Sequence, residues 1–438
     1  MNLTGNFLDL FSGCGGLSLG LMKSGWTGIL AIEQSQDASK TIKHNLLDKG
    51  HHNEGQPSFK WPMDIKMRPY EIADFKKEYW PQLRKLRGQV DLIVGGPPCQ
   101  GFSFAGKRNK NDPRNELFKH HTEIVELIQP YLVLMENVMG IDIAFGGKKG
   151  GKKKQRGRPR KSYASRIQDT LEKSGYRVHQ HVIKALDFGV PQLRPRFFTL
   201  GIRNDIVPGN PGPSLEGLMR KKRNKFLMHR NIPIDRPVTV SEAISDLCTE
   251  GKILVKCNDN ESPNGYLEIE YQGPLTYYQE LMQACMNGLT PNSLRLVNHR
   301  PETVERFKRI LNSCRKGVQL SSDDRKRFGI KKTSITPLAP DQPSHTLTTL
   351  PDDLLHYSEP RILTVREYAR LQSFPDWFEF RGKFTTGGQK RVVECPRYTQ
   401  VGNAVPPLLA ELLGEVLFEM MGIIGENRFF SGARLSKI

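Results

Sequence analysis

One cysteine of this chain lies where a reactive thiol would be useful, in the segment Gly95-Gly96-Pro97-Pro98-Cys99-Gln100-Gly101-Phe102-Ser103. Residues 90–94 before it are apolar except for Asp91, which predicts a short buried strand, and two glycines and two prolines then end that strand. Open α/β sheets bind their ligands at the carboxyl ends of strands. The turn therefore predicts Cys99 as a nucleophile. A buried structural cysteine is the alternative, because free cysteine is often buried.

A second turn near the N-terminus predicts a ligand site. Residues 7–11, which are apolar except for Asp9, are predicted to form a first strand. Ser12-Gly13-Cys14-Gly15-Gly16 follows, and a helix is predicted to begin near Leu17. Glycines let the backbone approach a ligand, and a helix N-terminus offers free N–H groups to an anion. Glu33 ends the next predicted strand, at the spacing of an acid that binds ribose hydroxyls.

The glycine spacing favours one class of ligand over another. A dinucleotide site has the pattern Gly-x-Gly-x-x-Gly, but the third position counted from Gly13 is Ser18. A nucleoside without a pyrophosphate fits better, and S-adenosylmethionine, with its ribose, adenine and carboxylate, is such a molecule. A glycine turn that binds nothing remains the alternative at this point.

Composition bounds the class of protein. The chain has 438 residues and a net charge of +19, which predicts two or three domains and favours a polyanionic partner over an ordinary basic enzyme. Its apolar runs are all shorter than the ~20 residues of a membrane span, and the N-terminus lacks a secretion signal. Seven scattered cysteines without zinc spacing predict a reducing compartment, no disulfides and no metal.

The pattern along the chain predicts an α/β fold. Short apolar runs at residues 7–11, 28–32, 90–94, 131–135 and 197–202 alternate with amphipathic stretches, which predicts a mostly parallel, twisted sheet with helices on both faces. Thr364 and Glu367 have the spacing of a capping box, and residues 408–421 are predicted to form a final amphipathic helix. The basic, glycine-rich residues 146–161 predict a flexible insertion.

Several motifs occur in sequence along the chain. They are Asp9-Leu10-Phe11-Ser12-Gly13-Cys14-Gly15-Gly16-Leu17, Glu33, Asp64-Ile65, Pro98-Cys99-Gln100, Glu136-Asn137-Val138, Gln192-Leu193-Arg194-Pro195-Arg196, Thr364-Val365-Arg366-Glu367-Tyr368-Ala369-Arg370-Leu371-Gln372 and Gln400-Val401-Gly402-Asn403-Ala404-Val405-Pro406-Pro407. In content and order they resemble the motifs of the cytosine-C5 DNA methyltransferases of bacterial restriction-modification systems. The resemblance covers most of residues 5–205 and about 335–412.

The resemblance implies a domain organisation. Residues 1–205, completed by 400–425, would form a catalytic and cofactor-binding domain with the fold of S-adenosylmethionine-dependent methyltransferases. Residues 206–345 would form a smaller, irregular α+β target-recognition domain, and residues 346–399 its hinge and support.

It also implies roles for individual residues. The Cys99 thiolate would add to carbon 6 of a flipped-out cytosine, and Glu136 would bind the ring. Arg194 and Arg196 would hold the base or its phosphate, and Arg196 would also orient Glu136. The residues implied to bind the cofactor are Asp9, Phe11, Ser12, Gly13, Gly15, Gly16, Leu17, Glu33, Asp64, Ile65, Pro98, Leu117, Asn403 and Val405. Those implied to contact DNA are Gln100, Ser103 and Arg108.

Partners and rival functions follow from the same comparison. We expect a cytoplasmic, nucleoid-associated monomer that acts on double-stranded DNA beside a cognate restriction endonuclease. A tRNA methyltransferase of the same fold and a DNA-binding protein without catalysis are the rivals. Residues 156–161 resemble an AT-hook, which would insert arginines into a narrow minor groove. A basic loop that contacts phosphates nonspecifically, or contacts nothing, is the favoured interpretation.

Overall fold

The computed structural model of the chain describes residues 5–48, 59–97, 115–142, 162–206, 214–386, 390 and 394–430, with only the backbone at 115 and 423–430. Its strands are β1 (Asn6–Leu10), β2 (Thr27–Ile32), β3 (Leu92–Gly95), β4 (Leu132–Asn137), β5 (Tyr176–Lys184), β6 (Pro195–Arg203), β7 (Leu254–Lys256), β8 (Leu267–Ile269), β9 (Thr336–Pro337) and β10 (Leu354–Leu355). Its α-helices are α1 (Gly16–Lys23), α2 (Gln36–Ile42), α3 (Ile72–Glu78), α4 (Trp80–Lys85), α5 (Asn115–Ile128), α6 (Tyr163–Lys173), α7 (Leu215–Met228), α8 (Val240–Ile244), α9 (Tyr277–Gln283), α10 (Pro301–Ser313), α11 (Ser322–Arg327), α12 (Val365–Leu371), α13 (Arg397–Asn403) and α14 (Pro407–Phe430).

The main sheet has the strand order β2-β1-β3-β4-β6-β5. Strands β2, β1, β3 and β4 run parallel, and β6 lies antiparallel to both β4 and β5. The five predicted apolar runs form β1, β2, β3, β4 and β6, so the mostly parallel sheet is confirmed. The sixth strand, β5, was not predicted from the sequence. It lies at the edge of the sheet, and it mixes polar with apolar residues and contains no long apolar run.

Helices cover both faces of the sheet, as predicted. Alternate residues of β3 illustrate this, because Val94 belongs to a core with α1, α7 and α14, whereas Ile93 belongs to a second core with α3, α5 and α6. This alternation is the two-residue period of a strand that is buried on both sides. Each fully buried side chain of this kind stabilises the fold by about 1.5–3 kcal/mol.

The last helix differs from the prediction. The sequence predicts an amphipathic helix over residues 408–421, but α14 extends to Phe430 and residues 408–414 are buried on every side. A Cβ atom at Gly20 of α1 would lie 2.5 Å from the carbonyl oxygen of Pro407, so the two helices pack with almost no separation. The amphipathic prediction is therefore wrong, because α14 is a core helix between α1 and α7.

The capping box of α12 is confirmed. The Thr364 hydroxyl accepts from the amide of Glu367 (3.1 Å), and the Glu367 carboxylate accepts from the amide of Thr364 (2.6 Å). The reciprocal bonds satisfy two amides that a helix start would otherwise leave without partners. They fix the start of α12, which carries Arg366 and Arg370 into the interior.

The part of the chain after β6 is irregular, as predicted. It contains short helices and the small hairpin of β7 and β8. Helix α7 packs into the core of the main sheet, whereas α10 and the residues on either side of α11 contribute to a separate small core. The predicted domain bounds at 205, 345 and 399 stay predictions. The predicted insertion 146–161 lies outside the described residues.

Candidate active site

The predicted site residues follow strands that end at one edge of the sheet. In the parallel register, Leu10 pairs with Gly95 and Gly95 pairs with Met135. Residues after these three positions therefore meet at the carboxyl edge, where α/β sheets hold their ligands. The glycine turn after β1, Gly96 after β3 and Glu136 in β4 all lie at this edge.

The loop between β1 and α1 needs residues that tolerate positive φ. Phe11, Gly13 and Gly15 have φ of 66°, 57° and 90°. An aromatic residue at positive φ is strained, and strain of this kind is concentrated at functional sites. At Gly16 a Cβ atom would lie 2.5 Å from the carbonyl oxygen of Val405. The glycines therefore serve both the turn and the close approach of the segment that contains Val405.

Two acids, the buried Asp9 and the partly exposed Glu33, lie beside this loop. The Glu33 carboxylate, just after β2, accepts from the amides of Gly13 (2.9 Å) and Ser35 (2.7 Å). Asp9 is 1% exposed and accepts from the Ser18 hydroxyl (2.5 Å). Burial raises the pKa of Glu33 to about 6 and that of Asp9 to about 7. Both acids therefore lie where further hydrogen-bond donors would stabilise their ionised forms.

Three residues predicted to contact the cofactor share one apolar surface. Ile65 is buried in the core of the α3 face, and Phe11 and Leu117 pack against that core. The Ile65 carbonyl accepts from the Trp61 indole N–H (2.8 Å), which fixes the turn. Asp64 beside it is exposed to solvent. These three apolar side chains thus belong to one core, and the exposed Asp64 is next to Ile65 in the sequence.

The C-terminal motif closes over the glycine loop. The Cys14 thiol donates to the carbonyl of Gln400 (3.5 Å), and Leu17 at the start of α1 is buried. Asn403 ends α13 with its side chain exposed, and Val405 follows against Gly16. Residues almost 400 positions apart thus form one wall of the site.

Glu136 and Arg196 form an ion pair on neighbouring strands. The distance between Arg196 Nε and Glu136 Oε1 is 2.8 Å, and their side chains are 10% and 12% exposed. Burial lowers the pKa of Arg196, and the Glu136 carboxylate opposes that shift. A Cβ atom at Gly96 would lie 3.2 Å from Glu136 Oε2, so only glycine lets the turn after β3 approach this carboxylate freely. Arg196 therefore lies where it could orient Glu136, and that role stays a prediction.

The guanidinium of Arg194 forms its hydrogen bonds with other residues of the protein. Its guanidinium is 1% exposed and donates to the carbonyls of Leu347 (3.2 Å), Gly402 (2.9 Å) and Ala404 (2.9 Å). It also donates to the Gln192 side chain (3.3 Å). These contacts place Arg194 beneath the C-terminal motif, whereas its neighbour Arg196 reaches Glu136.

Two glutamines of the motifs, Gln192 and Gln372, join distant segments of the chain by hydrogen bonds. This role was not predicted from the sequence. Gln372 donates to the carbonyls of Val401 (3.0 Å) and Ala404 (2.7 Å), and it accepts from the side chain of Gln192. Gln192 in turn accepts from the amide of Leu347 (2.9 Å). Their place in polar motifs was visible, but their partners lie too far along the chain to be inferred.

The remaining predicted site residues lie outside the described residues. They are Pro98, Cys99, Gln100, Ser103 and Arg108. The structure describes the chain on one side of them up to Pro97, at the same sheet edge as Glu136. The role of Cys99 as the nucleophile stays a prediction.

The comparisons with known proteins agree with this geometry. A family model of C-5 cytosine-specific DNA methylases matches residues 5–419. The chain belongs to this family. It is 30% identical to the Type II methyltransferase M.DdeI of Desulfomicrobium norvegicum, over 96% of this chain and 91% of that protein. It is 31% identical to the Type II methyltransferase M1.HphI of Haemophilus parahaemolyticus, over 96% of this chain and 88% of that protein.

A solved structure supports the fold of this cytosine-5 DNA methylase. A crystal structure described as a DNA modification methyltransferase encoded within an Escherichia coli prophage superposes with a TM-score of 0.62 at 25% identity. The match covers 95% of the methylase and 99% of that chain. The expected methyltransferase fold is therefore confirmed.

One stretch of the methylase has the length and apolarity of a membrane span. It covers Arg397–Gly422 and includes α13 and most of α14, but 83% of its most apolar part is buried inside the protein. A core helix of a globular domain has the same character. The burial of α14 between α1 and α7 accounts for this composition without a bilayer.

Proposed function

We propose that this methylase transfers a methyl group from S-adenosylmethionine to carbon 5 of a cytosine that is flipped out of duplex DNA. We also propose that it protects DNA within a restriction-modification system, as a cytoplasmic, nucleoid-associated monomer. The observation that supports this proposal best is the buried Glu136–Arg196 pair beside Gly96, at the sheet edge that also carries the glycine loop. The curated relatives, which are Type II methyltransferases, favour the restriction-modification role.

The residues at the glycine loop fit S-adenosylmethionine. The Glu33 carboxylate would accept from the ribose hydroxyls, and the apolar wall of Phe11, Ile65 and Leu117 would pack against the adenine. The loop that contains Ser12, Gly13, Gly15 and Gly16, together with Asp9, Leu17, Asp64, Pro98, Asn403 and Val405, would complete the pocket. When bound, the cofactor supplies an electrophilic methyl group.

Carbon 5 of cytosine is a poor nucleophile, so the ring must first be activated. The Cys99 thiolate would form a bond to carbon 6, and the electron pair of the 5,6 double bond would become available at carbon 5. Glu136, held by Arg196, would bind nitrogen 3 and the amino group as charge develops there. After carbon 5 gains the methyl group, it loses its proton to a base, and the bond between Cys99 and carbon 6 breaks.

Arg194 has a different part in this proposal from the one first expected. Its two terminal nitrogens donate to the carbonyls of Leu347, Gly402 and Ala404. We propose that Arg194 is a positioning residue, which holds the segment leading to Asn403 and Val405 against the glycine loop. It would then act on the cofactor pocket rather than on the cytosine.

The DNA must present the cytosine to this edge. The target atom is hidden in a duplex, so the base has to leave the stack. Gln100, Ser103 and Arg108 would contact the DNA around the vacated position, and residues 206–345, supported by 346–399, would read the sequence from the major groove. A cognate endonuclease would share the recognition site without forming a stable complex.

The test is transfer of a labelled methyl group from S-adenosylmethionine to duplex DNA. We expect label in 5-methylcytosine with the wild-type chain. Cys99→Ala should reduce the transfer rate more than about 10³-fold, and Glu136→Gln about 10²–10⁴-fold. The matched control is Cys285→Ala, which removes an exposed thiol outside the motifs and should leave the rate unchanged.

The affinities of each variant for cofactor and DNA show whether a loss of activity comes from catalysis or from misfolding. Cys99→Ala should retain its affinity for cofactor and DNA, and it should fail to be trapped by duplexes that contain 5-fluorocytosine. Full turnover by Cys99→Ala, or label that enters tRNA instead of DNA, contradicts the proposal.

A further inference from the structure

A strongly basic segment lies within the region predicted to recognise DNA. Residues 300–332, here called the basic module, contain eleven Lys and Arg against four Asp and Glu. The module therefore supplies a net +7 of the chain's +19 in 33 residues. A concentration of charge of this size favours a polyanionic partner.

The basic module is a folded unit with its own apolar core. Phe307 and Ile310 of α10 pack with Leu320 and Phe328, and this cluster continues to Leu355 and Ile362 outside the module. The positive charges are therefore held on a packed surface that is attached to the segment before α12. A polyanion that binds there pays less ordering entropy than on a mobile tail.

Most of the cations on the module lack acidic partners. Lys308, Lys326 and Lys332 have a carboxylate within 4.0 Å. The other eight Lys and Arg have none within that distance among the described residues. Like charges placed together without counter-charges repel one another, and an anionic partner removes that repulsion.

Helix α7 shows that a basic segment of this protein can satisfy its charges internally. Arg220 pairs with Glu216 (2.8 Å), and Lys222 pairs with Glu419 of α14 (3.0 Å). Arg223 donates to the carbonyls of Asp187 (2.7 Å) and Ile234 (3.1 Å). The cations of α7 thus stabilise the packing of the helix, and the comparison makes the unpaired cations of the basic module significant.

Two arginines of the module converge on one aromatic ring. The guanidinium carbons of Arg309 and Arg327 lie 5.4 Å and 5.2 Å from the centre of the Phe328 ring. Arg306 and Arg309 line the same surface groove as Phe328, together with Glu302 and Glu305 of the same helix. A guanidinium beside a ring keeps its N–H groups for a second partner, and their planar array matches the oxygens of a phosphate.

The module is joined to the chain that leads into the proposed active site. His345 Nε2 donates to the carbonyl of Gly317 (2.9 Å), directly after Arg315 and Lys316. Beside His345, the carbonyl of Ser344 accepts from the amide of Leu193 (2.7 Å), which is the residue before Arg194. The basic module is therefore connected by hydrogen bonds, through residues 344 and 345, to the strand that carries Arg194 and Arg196.

We propose that the basic module binds the phosphate backbone of duplex DNA beside the methylated cytosine, with Arg306, Arg309 and Arg327 as direct phosphate contacts. The inference rests on the proposed function, because it takes duplex DNA to be the substrate. These contacts fix the position of the enzyme on the duplex, and they carry no sequence information.

The experiment measures how binding of the full-length chain to duplex DNA depends on salt. The variant Arg306→Gln/Arg309→Gln/Arg327→Gln removes three proposed phosphate contacts. Each lost contact lowers the slope of log K against log salt by about 0.9, so we expect a loss of about two to three and at least tenfold weaker binding at ~0.1 M salt. The matched control, Arg220→Gln/Lys221→Gln/Lys225→Gln, removes three charges from α7 and should change the slope by less than about one.

Each outcome has one meaning for the inference. Equal loss of slope in the two triple variants, or weaker binding to tRNA without weaker binding to the duplex, overturns it. Thermal unfolding shows whether the triple variant folds. If it does not, Arg306→Gln, which leaves both ring contacts intact, should lower the slope by about one. Wild-type methyl transfer is measured in parallel, so failure of the proposed function is seen separately from failure of the module.

Discussion

Charged side chains are shielded from solvent both at the edge of the sheet that carries the glycine loop, here called the cofactor edge, and in the support segment, residues 346–399. The two regions differ in the partners that these side chains have. At the edge, Asp9 and Glu33 accept from a hydroxyl and from backbone amides, and neither has a Lys or Arg partner in the part of the chain that the structure describes. In the support segment, Arg370 is fully buried and pairs with Asp246 (3.0 Å) and Asp376 (2.6 Å).

The pKa values express this difference. Burial raises the pKa of Glu33 to about 6 and that of Asp9 to about 7. Burial also acts on Asp376, but the Arg370 guanidinium outweighs it and lowers the pKa of that carboxyl. At Asp246, the second partner of Arg370, burial outweighs the guanidinium and the pKa is raised. Charges that a fold needs for its own stability are paired within the protein, whereas a ligand site leaves acids whose desolvation a bound molecule can offset.

Arg370→Ala should be the most damaging change to the support segment. It leaves Asp246 and Asp376 buried without a cation, and removal of one partner from a buried ion pair costs about 3–5 kcal/mol. We expect the free energy of unfolding, measured with urea, to fall by that amount.

An exposed ion pair provides the control for Arg370→Ala. Arg220 on α7 pairs with Glu216 at the surface, so Arg220→Ala should cost less than about 1 kcal/mol. If Arg370→Ala costs no more than Arg220→Ala, the support segment does not depend on its buried charges, and the contrast with the cofactor edge is lost.

In contrast to Arg370→Ala, Glu33→Gln should change the stability of the fold little and the affinity for the cofactor strongly. It removes a buried charge that no cation offsets but also one acceptor oxygen for the amides of Gly13 and Ser35. The two effects nearly cancel, so the free energy of unfolding should change by less than about 1 kcal/mol. Cofactor affinity should fall roughly 10- to 100-fold, because hydrogen bonds to a charged acceptor contribute about 1.5–3 kcal/mol. Titration calorimetry with S-adenosylmethionine measures this loss.

The pH dependence of cofactor affinity, measured by the same titration, tests whether the loss in Glu33→Gln comes from the ionised carboxylate of Glu33. Because the pKa of Glu33 is raised to about 6, the cofactor-free protein loses stability from this group as pH rises through that value. Donors on the ligand favour the ionised form, so wild-type affinity should rise about tenfold from pH 5 to pH 7. Asp9 titrates in both proteins, and the difference between the profiles therefore belongs to Glu33. Parallel profiles for wild type and Glu33→Gln would remove the proposed role of its charge.

The strands of the catalytic core could be predicted because they are buried on both faces. Residues 131–135 are a continuous apolar run, and residues 90–94 are apolar except for Asp91; strands β4 and β3 form there. Strand β5 escaped prediction because its alternating residues, such as His179 and His181, are half-buried at the sheet edge. The complete burial of residues 408–414 in α14 was not predicted either. The periodicity of apolar residues does not show whether other elements will cover a helix on all sides.

The site was predicted best where its contacts are local. Glu33 lies 20 residues from Gly13, and their relation follows from one strand-helix-strand unit. Arg194 reaches Gly402, 208 residues away, and no pattern near Arg194 shows that its donors are used there. Sequence motifs therefore identify which residues matter, whereas only the packed structure separates a residue that faces the ligand from one that holds the wall behind it.

The smallest effect concerns the start of α12, the helix that carries Arg370. The Thr364 hydroxyl caps this helix, and the Glu367 carboxylate that completes the cap also pairs with Arg361 (2.7 Å). Thr364→Ala should lower the free energy of unfolding by about 1 kcal/mol, and Thr364→Ser, which keeps the hydroxyl, by less. Urea denaturation of both variants measures the difference. A loss as large as that of Arg370→Ala would mean that the cap, rather than the buried ion pairs, holds the support segment together.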